Sequence, residues 1–114
     1  MADCLFCKII DRTIPADIIF EDQRVLAFAD INPQAPTHVL VIPKRHIESL
    51  NHVSTEDDRL VGEVVRRAAL IAKDRGLADG GFRTVINTNR DAGQTVFHIH
   101  VHLLGGRPMH WPPG

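Results

Sequence analysis

An alternating run near the carboxyl end of the chain constrains its structure more than any other stretch. Residues 96–106 read VFHIHVHLLGG, with histidines at positions 98, 100 and 102 and large apolar residues between them. Because successive side chains of a β-strand point to opposite faces, this period of two predicts a strand over residues 96–104. The three histidines would share one face. The other face, which belongs in the core, would carry Phe97, Ile99, Val101 and Leu103.

The remaining periodicity predicts an α+β domain on an antiparallel sheet of about five strands. Strands and helices do not alternate regularly, which argues against a parallel sheet. A short helix is expected at residues 4–10, and a long one from Ser54, with Asp57 in a capping box, to Gly76. Turn-bounded, β-rich runs predict the other four strands at residues 17–22, 24–30, 37–43 and 82–88.

Two stretches add detail to this topology. Residues 37–43, THVLVIP, are almost continuously apolar, so their strand is expected to be buried on both faces. Residues 89–95, NRDAGQT, are polar and contain a glycine, which predicts a loop before the histidine strand. A length of 114 residues suits one domain, and we expect residues 1–114 to form it.

Composition and charge exclude several classes of protein. The formal net charge is −1 and the basic residues are scattered, so no basic face predicts binding to nucleic acid. No apolar run approaches the roughly 20 residues that span a bilayer. Residues 1–18 lack a basic stretch followed by a long apolar one, so no secretory signal is recognised. We therefore expect a cytoplasmic protein without membrane or nucleic-acid partners.

Three histidines on one face of a strand suit catalysis better than a shared metal ion. On a strand that rises about 3.3 Å per residue, His98 and His102 would lie about 13 Å apart. Because zinc–imidazole bonds are about 2 Å long, one ion can bind two neighbouring histidines but not all three. Chance placement on a solvated face is the alternative, although histidine is not a favoured strand residue. A neutral imidazole, with an unperturbed pKa of about 6.5, is a good nucleophile.

The two cysteines, Cys4 and Cys7, form one C-x-x-C motif near the amino terminus. A single pair is too few for a disulfide scaffold. A redox motif of this kind lies at the start of a helix that follows a strand, and the sequence predicts no strand before this one. Besides a redox role, the motif is compatible with half of a metal site or with two buried, free thiols.

The histidine run also resembles a known family signature. His98-Ile-His100-Val-His102-Leu-Leu is similar to the motif of the histidine triad (HIT) family, in which three histidines alternate with apolar residues. Over nearly the whole chain, FCKII, IPADIIFED, LAFADINPQAPTHVLVIPKRHI, GQTVFHIHVHLLGGR and MHWPPG look like the Hint branch, the histidine triad nucleotide-binding proteins. The resemblance implies a HIT-like fold and a homodimer in which the two sheets join into one.

The resemblance also implies a chemistry, the hydrolysis of purine nucleoside 5′-phosphoramidates through a covalent nucleotidyl-histidine. His100 matches the position of the nucleophile, and His38 matches a histidine that orients it. His102 and the Thr95 hydroxyl match the contacts to the phosphate and the leaving group. By the same resemblance, no cofactor takes part in the chemistry.

The nucleotide contacts are likewise implied by the resemblance. Asp30 matches the aspartate that binds the ribose hydroxyls, which implies ribonucleotides rather than deoxyribonucleotides. The apolar slot for the purine matches four residues that also suit ordinary core positions, namely Phe6, Ile9, Ile18 and Ile31. The remaining implied contacts are Asn87, Gly93, Gln94, Thr95, Val96 and Trp111. In the family, the tryptophan at the position of Trp111 reaches the active site of the partner subunit.

In some relatives a C-x-x-C motif and two histidines bind a structural zinc ion. The matching positions form a Cys₂His₂ set that would close a tetrahedral site, namely Cys4, Cys7, His46 and His98. Other members of the Hint branch lack the cysteines and the metal, so buried free thiols stay the alternative. If zinc binds here, the first histidine of the triad has a role other than chemistry.

Three other functions are compatible with these residues. A nucleotide-binding regulatory module with incidental hydrolysis is one, although every catalytic position is retained. Dinucleoside polyphosphate hydrolysis is the activity of a neighbouring branch, whereas the tail GGRPMHWPPG favours phosphoramidates. A small zinc-stabilised interaction domain would use Cys4, Cys7 and some histidines, but it would leave the alternation of the triad unexplained.

Overall fold

A computed structural model describes residues 3–114 and contains one five-stranded sheet. The strands are β1 (Ile18–Glu21), β2 (Val25–Ala29), β3 (Thr37–Pro43), β4 (Phe82–Val85) and β5 (Val101–Gly105). The helices are α1 (Leu5–Ile10), α2 (Asp58–Asp74) and α3 (Asn89–Ala92), with 3₁₀ turns at Leu50–His52 and Thr55–Asp57. The strand order is β1-β2-β3-β5-β4, and every neighbouring pair is antiparallel. The predicted α+β fold class is confirmed.

The sheet is covered on both faces, which explains the burial of β3. On one face, α2 packs Val64, Ala68, Ile71 and Ala72 against residues of β2, β3 and β5. On the other face, α1 packs Phe6 and Ile9 against Leu26, Phe28, Leu40 and Ile42. All seven residues of β3 are buried, as the sequence predicts.

The strand predicted over residues 96–104 is only half correct, because β5 begins at Val101. The last pair on the β3 side is Val41 with Val101, and the last on the β4 side is Val85 with His102. Residues 96–100 therefore pair with neither neighbouring strand, although β3 continues to Pro43 in its pairing with β2. Ile99 is still buried, but Phe97 is 47% exposed, so its predicted core position is wrong.

Two further boundaries differ from the expected ones. β4 ends at Val85 rather than at residue 88. Val85 pairs with His102, the second residue of β5, so residues 87 and 88 would lie past the start of that strand. The loop predicted over residues 89–95 contains the short helix α3, which ends at Gly93 in the left-handed conformation (φ 83°) that glycine adopts readily.

The long helix begins as predicted, with a capping box. The Ser54 N–H donates to the Asp57 carboxylate (3.0 Å), and the 3₁₀ turn Thr55–Asp57 leads directly into α2. Asp57 is buried and forms an ion pair with Arg45. Within residues 3–114, no helix has the length and apolar character that crossing a membrane requires.

Candidate active site and metal centre

A cavity of about 260 Å³ lies on the α1 face of the sheet, beside the end of β5. It brings together eight of the residues predicted for catalysis or nucleotide binding: Phe6, Ile9, Asp30, Ile31, Thr95, Val96, His100 and His102. Phe28 and Leu40 extend its apolar wall. A larger depression of about 420 Å³ shares Leu5, Thr95 and Val96 with it but is lined by neither His100 nor His102, so the smaller cavity is the candidate active site.

The hydrogen bonds of His100 leave one of its ring nitrogens free. Its Nδ1 lies 2.7 Å from the backbone carbonyl oxygen of His98, which can only accept a hydrogen bond. The proton of the neutral ring is therefore on Nδ1, and Nε2 keeps its lone pair. Burial lowers the pKa of His100, which favours this neutral form, and the Phe6 ring packs edge-on against it at 5.0 Å. His100 is thus held as a neutral ring with an available lone pair on Nε2.

A chain of hydrogen bonds fixes the proton of His102 as well. The Gln34 N–H donates to His38 Nδ1 (3.0 Å), so the His38 proton is on Nε2. The His38 Nε2–H donates this proton in a hydrogen bond to His102 Nδ1, 2.9 Å away. The neutral His102 ring therefore carries its own proton on Nε2. The Asp30 carboxylate, 3.3 Å from His38 Nε2, reinforces this orientation of His38.

The other predicted contacts lie outside the lining of this cavity. Gln94 is buried, with its amide bonded to backbone groups, and Gly93 lies at the end of α3. Asn87 lies beyond the end of β4, and Trp111 is 83% exposed in this chain. Ile18 packs with the α1-side core, whereas Ile31 does line the cavity but is 99% exposed.

Cys4, Cys7, His46 and His98 form a second cluster, in which one ligand atom from each lies within 4.8 Å of the others. Three sulfur–nitrogen distances are 3.5 Å, 3.4 Å and 3.6 Å, and the His46–His98 Nδ1 separation is 3.2 Å. Zinc bonds of about 2.3 Å to sulfur and about 2.0 Å to nitrogen give tetrahedral edges of roughly 3.5 Å and 3.3 Å. The four side chains are therefore spaced as zinc ligands.

The proton arrangement of His98 also fits a metal ligand. Its Nε2 lies 2.8 Å from the Pro43 carbonyl oxygen and must donate to it, which leaves a lone pair on Nδ1 toward the two sulfurs. Burial and then the Cys4 thiol raise the pKa of the Cys7 thiol to about 11. A thiol with a raised pKa is a poor redox nucleophile, which argues further against a redox role.

Asp30, His38 and His102 are equally close together but are not arranged to bind a cation. His38 accepts at Nδ1, so the Nε2 that faces the other two residues carries a proton. A metal ion bound to Nε2 would displace that proton to Nδ1, where it would face the Gln34 N–H, so that two donors would point at each other. Hydrogen-bond polarity thus distinguishes the two clusters.

Several groups that build the site have no sequence signal. The proton positions depend on the Gln34 N–H and on the carbonyls of Pro43 and His98, which are backbone groups. The cavity also includes Leu5, Ile14, Pro15 and Ala16, whose residue types indicate nothing more than a core or a turn.

The buried histidines are expected to make stability depend on pH. Burial, then His100 and His38, lowers the pKa of His102 from 6.5 to about 4, while Asp30 partly opposes the shift. Between these two values the unfolded chain binds a proton that the folded chain does not. The free energy of unfolding should therefore fall as the pH drops through this window, by up to about 1.4 kcal/mol per pH unit for this group.

Urea unfolding between about pH 7 and about pH 4.5 measures this slope. The variant His102→Asn, which cannot titrate there, should show a shallower slope than the unchanged chain. Equal slopes in the two proteins would contradict the lowered pKa of His102.

Comparisons with known proteins agree with this site. The HIT domain family model matches residues 11–109. The purine nucleoside phosphoramidase of Escherichia coli K12 is 51% identical over 107 residues, which cover 94% of this chain and 90% of that protein. An uncharacterized HIT-like protein of Synechocystis is 53% identical over 112 residues, covering 98% and 97% of the two chains.

A solved structure gives the same result. The crystal structure of a HIT family hydrolase from Legionella pneumophila superposes with a TM-score of 0.97 at 54% identity, and the match covers 98% of this chain and 100% of that one. The family model matches most of the chain, including all three triad histidines. The resemblance noted in the sequence is thus confirmed, and this chain belongs to the HIT domain family.

Proposed function

We propose that this protein hydrolyses purine nucleoside 5′-phosphoramidates, such as adenosine 5′-phosphoramidate or AMP-lysine conjugates, to a nucleoside monophosphate and an amine. The observation that carries the proposal is the free Nε2 lone pair of His100, at the wall of a cavity large enough to admit a nucleotide's reacting end. The Escherichia coli relative, named a purine nucleoside phosphoramidase, supports the same substrate class.

The first chemical step forms a bond between His100 Nε2 and phosphorus and breaks the phosphorus–nitrogen bond of the substrate. The departing amine takes a proton from solvent water, while the Nε2–H of the neutral His102 would donate a hydrogen bond to an oxygen of the phosphate. As the His100 ring becomes cationic, its Nδ1–H bond to the His98 carbonyl strengthens and stabilises the charge. Water then attacks phosphorus, breaks the histidine–phosphorus bond and releases the monophosphate.

The nucleoside part would occupy the apolar end of the cavity. Phe6, Ile9 and Phe28 offer apolar contacts for a base, and the Asp30 carboxylate offers an acceptor for ribose hydroxyls. Asp30 Oδ1 already accepts from the Asn32 N–H (2.8 Å), which fixes the orientation of the carboxylate. A 2′-deoxynucleotide would lose one of these ribose contacts, so a preference for ribonucleotides is expected.

We also propose that Cys4, Cys7, His46 and His98 hold a structural zinc ion. The ligand spacing and the free Nδ1 of His98 support it. The ion would connect α1, the segment after β3 and the segment before β5. His100 provides the nucleophile without the ion, so no metal is proposed for the chemistry itself.

A homodimer remains part of the proposal. β4 is a terminal strand of the sheet, and its Phe82 is 38% exposed. An open edge strand with an exposed aromatic residue is suited to pairing with a second copy of the chain. Such pairing would continue the sheet and is testable by sedimentation. The cytoplasmic location and the absence of nucleic-acid partners stay predictions.

Release of AMP from adenosine 5′-phosphoramidate tests the proposed function. We expect turnover with this substrate, weaker turnover with its 2′-deoxy analogue, and little with a dinucleoside polyphosphate. A higher kcat/KM for the dinucleoside polyphosphate would assign the neighbouring activity instead. AMP binding without any turnover would favour the regulatory binding module.

A further inference from the structure

We propose that Gln94 is a positioning residue that holds one wall of the catalytic cavity from behind. It is 6% exposed and does not line the cavity. Its amide nitrogen donates to the carbonyl oxygens of Glu48 (2.8 Å) and Val96 (3.2 Å), and its amide oxygen accepts from the Asn89 N–H (2.8 Å). Each of these partners is a backbone group, so the side chain connects three segments of the main chain.

The wall needs such a connection because it has no pairing with the neighbouring strands. Residues 96–100 precede β5 and pair with neither β3 nor β4. In place of a ladder, the Ile99 N–H donates to the Ile47 carbonyl (2.6 Å), and Gln94 bridges Glu48 to Val96. The amide thus substitutes for the strand partner that this stretch lacks, at the end farther from β5.

The held segment is the one that faces the reacting groups. Thr95 and Val96 line the cavity together with His100 and His102. The apolar end of the cavity belongs to other elements, with Phe6 on α1 and Phe28 on β2. Loosening the wall should therefore misplace the phosphate relative to His100 and leave the nucleoside contacts in place.

This inference rests on the proposed function, and its first test is kinetic. Gln94→Met keeps the length of the side chain and removes all three hydrogen bonds. We expect kcat for adenosine 5′-phosphoramidate to fall by about 10- to 100-fold, the scale of a small misplacement of reacting groups, with KM changed by less than about 3-fold. A kcat equal to that of the unchanged chain would overturn the inference.

Ser49→Ala is the matched control. Ser49 is also buried, next to Glu48, and its hydroxyl accepts from the Asn51 N–H (3.1 Å) without contacting the wall. Its loss should affect stability without changing kcat. If Ser49→Ala lowers kcat as much as Gln94→Met, general destabilisation explains both effects and the positioning role is wrong.

Hydrogen exchange separates failure of this inference from failure of the proposed function. Amides of residues 95–100 should exchange faster in Gln94→Met than in the unchanged chain, whereas those of α2 should not. If Gln94→Met folds poorly, Gln94→Glu takes its place in this experiment. It keeps the oxygen that accepts from the Asn89 N–H, loses both N–H donors, and should show the same faster exchange. If the unchanged chain releases no AMP, the proposed function fails, and unaltered exchange in these variants would then overturn the positioning role as well.

Discussion

Replacing His100 with alanine is expected to lower the turnover of adenosine 5′-phosphoramidate by on the order of 10⁴-fold or more while AMP still binds. The substitution removes the attacking Nε2, and the other histidine that lines the cavity, His102, has its Nδ1 lone pair bonded to His38 Nε2. Asp30 and the apolar wall are untouched, so the nucleoside contacts remain. Steady-state kinetics and calorimetric titration with AMP measure the two effects.

His52→Ala is the control for this substitution. His52 lies on the 3₁₀ turn Leu50–His52, outside the lining of the cavity, and its loss should leave turnover unchanged. Near-normal turnover in His100→Ala would rule out this residue as the nucleophile. A loss of AMP binding together with activity would instead indicate a damaged cavity.

Replacing Cys7 with serine is expected to remove zinc and to destabilise the fold. The unchanged chain should contain one zinc ion per chain, whereas Cys7→Ser should contain none. With free zinc about 1,000-fold above its dissociation constant, bound metal contributes about 4 kcal/mol. At roughly 4 °C per kcal/mol for a domain of this size, the Tm should fall by roughly 15 °C.

Elemental analysis of untagged protein and thermal unfolding measure these effects. Cobalt(II) in place of zinc should give the visible spectrum of a tetrahedral thiolate site, and Cys7→Ser should lose it. His52→Ala again serves as the control and should keep the metal, with a much smaller change in Tm than Cys7→Ser, because it removes only the His52 bond to Ser49 and the ion pair with Glu48. Metal-free, fully stable protein with two titratable thiols would establish that the cysteines are buried and free.

Much of the fold follows from patterns that are local in the sequence. Residues 37–43 predict β3 because a continuous apolar run suits only a strand covered on both faces, and the Ser54–Asp57 capping box marks the entry to α2. The alternation of histidines with apolar residues also places three of the four apolar side chains correctly. Ile99, Val101 and Leu103 are buried in the core opposite the cavity, as expected.

Other features depend on partners that are distant in the sequence. The pattern at 96–100 has the period of a strand, but a strand also needs pairing partners, and the pairing of β5 with β3 stops at Val101 and that with β4 at His102. The tautomers of His98, His100 and His38 depend on hydrogen bonds to the main chain. The partners are backbone groups of Pro43, His98 and Gln34, and because every residue has such groups, the sequence does not single them out. The burial of the Gln94 amide likewise depends on Glu48, 46 residues earlier.

Nucleophilic catalysis by His100 is tested most directly by mass spectrometry of the protein during turnover of adenosine 5′-phosphoramidate, quenched without acid because phosphorus–nitrogen adducts are acid-labile. We expect an adenylyl group on the peptide that contains His100, and its absence in His100→Ala. An adduct on another residue, or rapid turnover without any adduct, would contradict this role of His100.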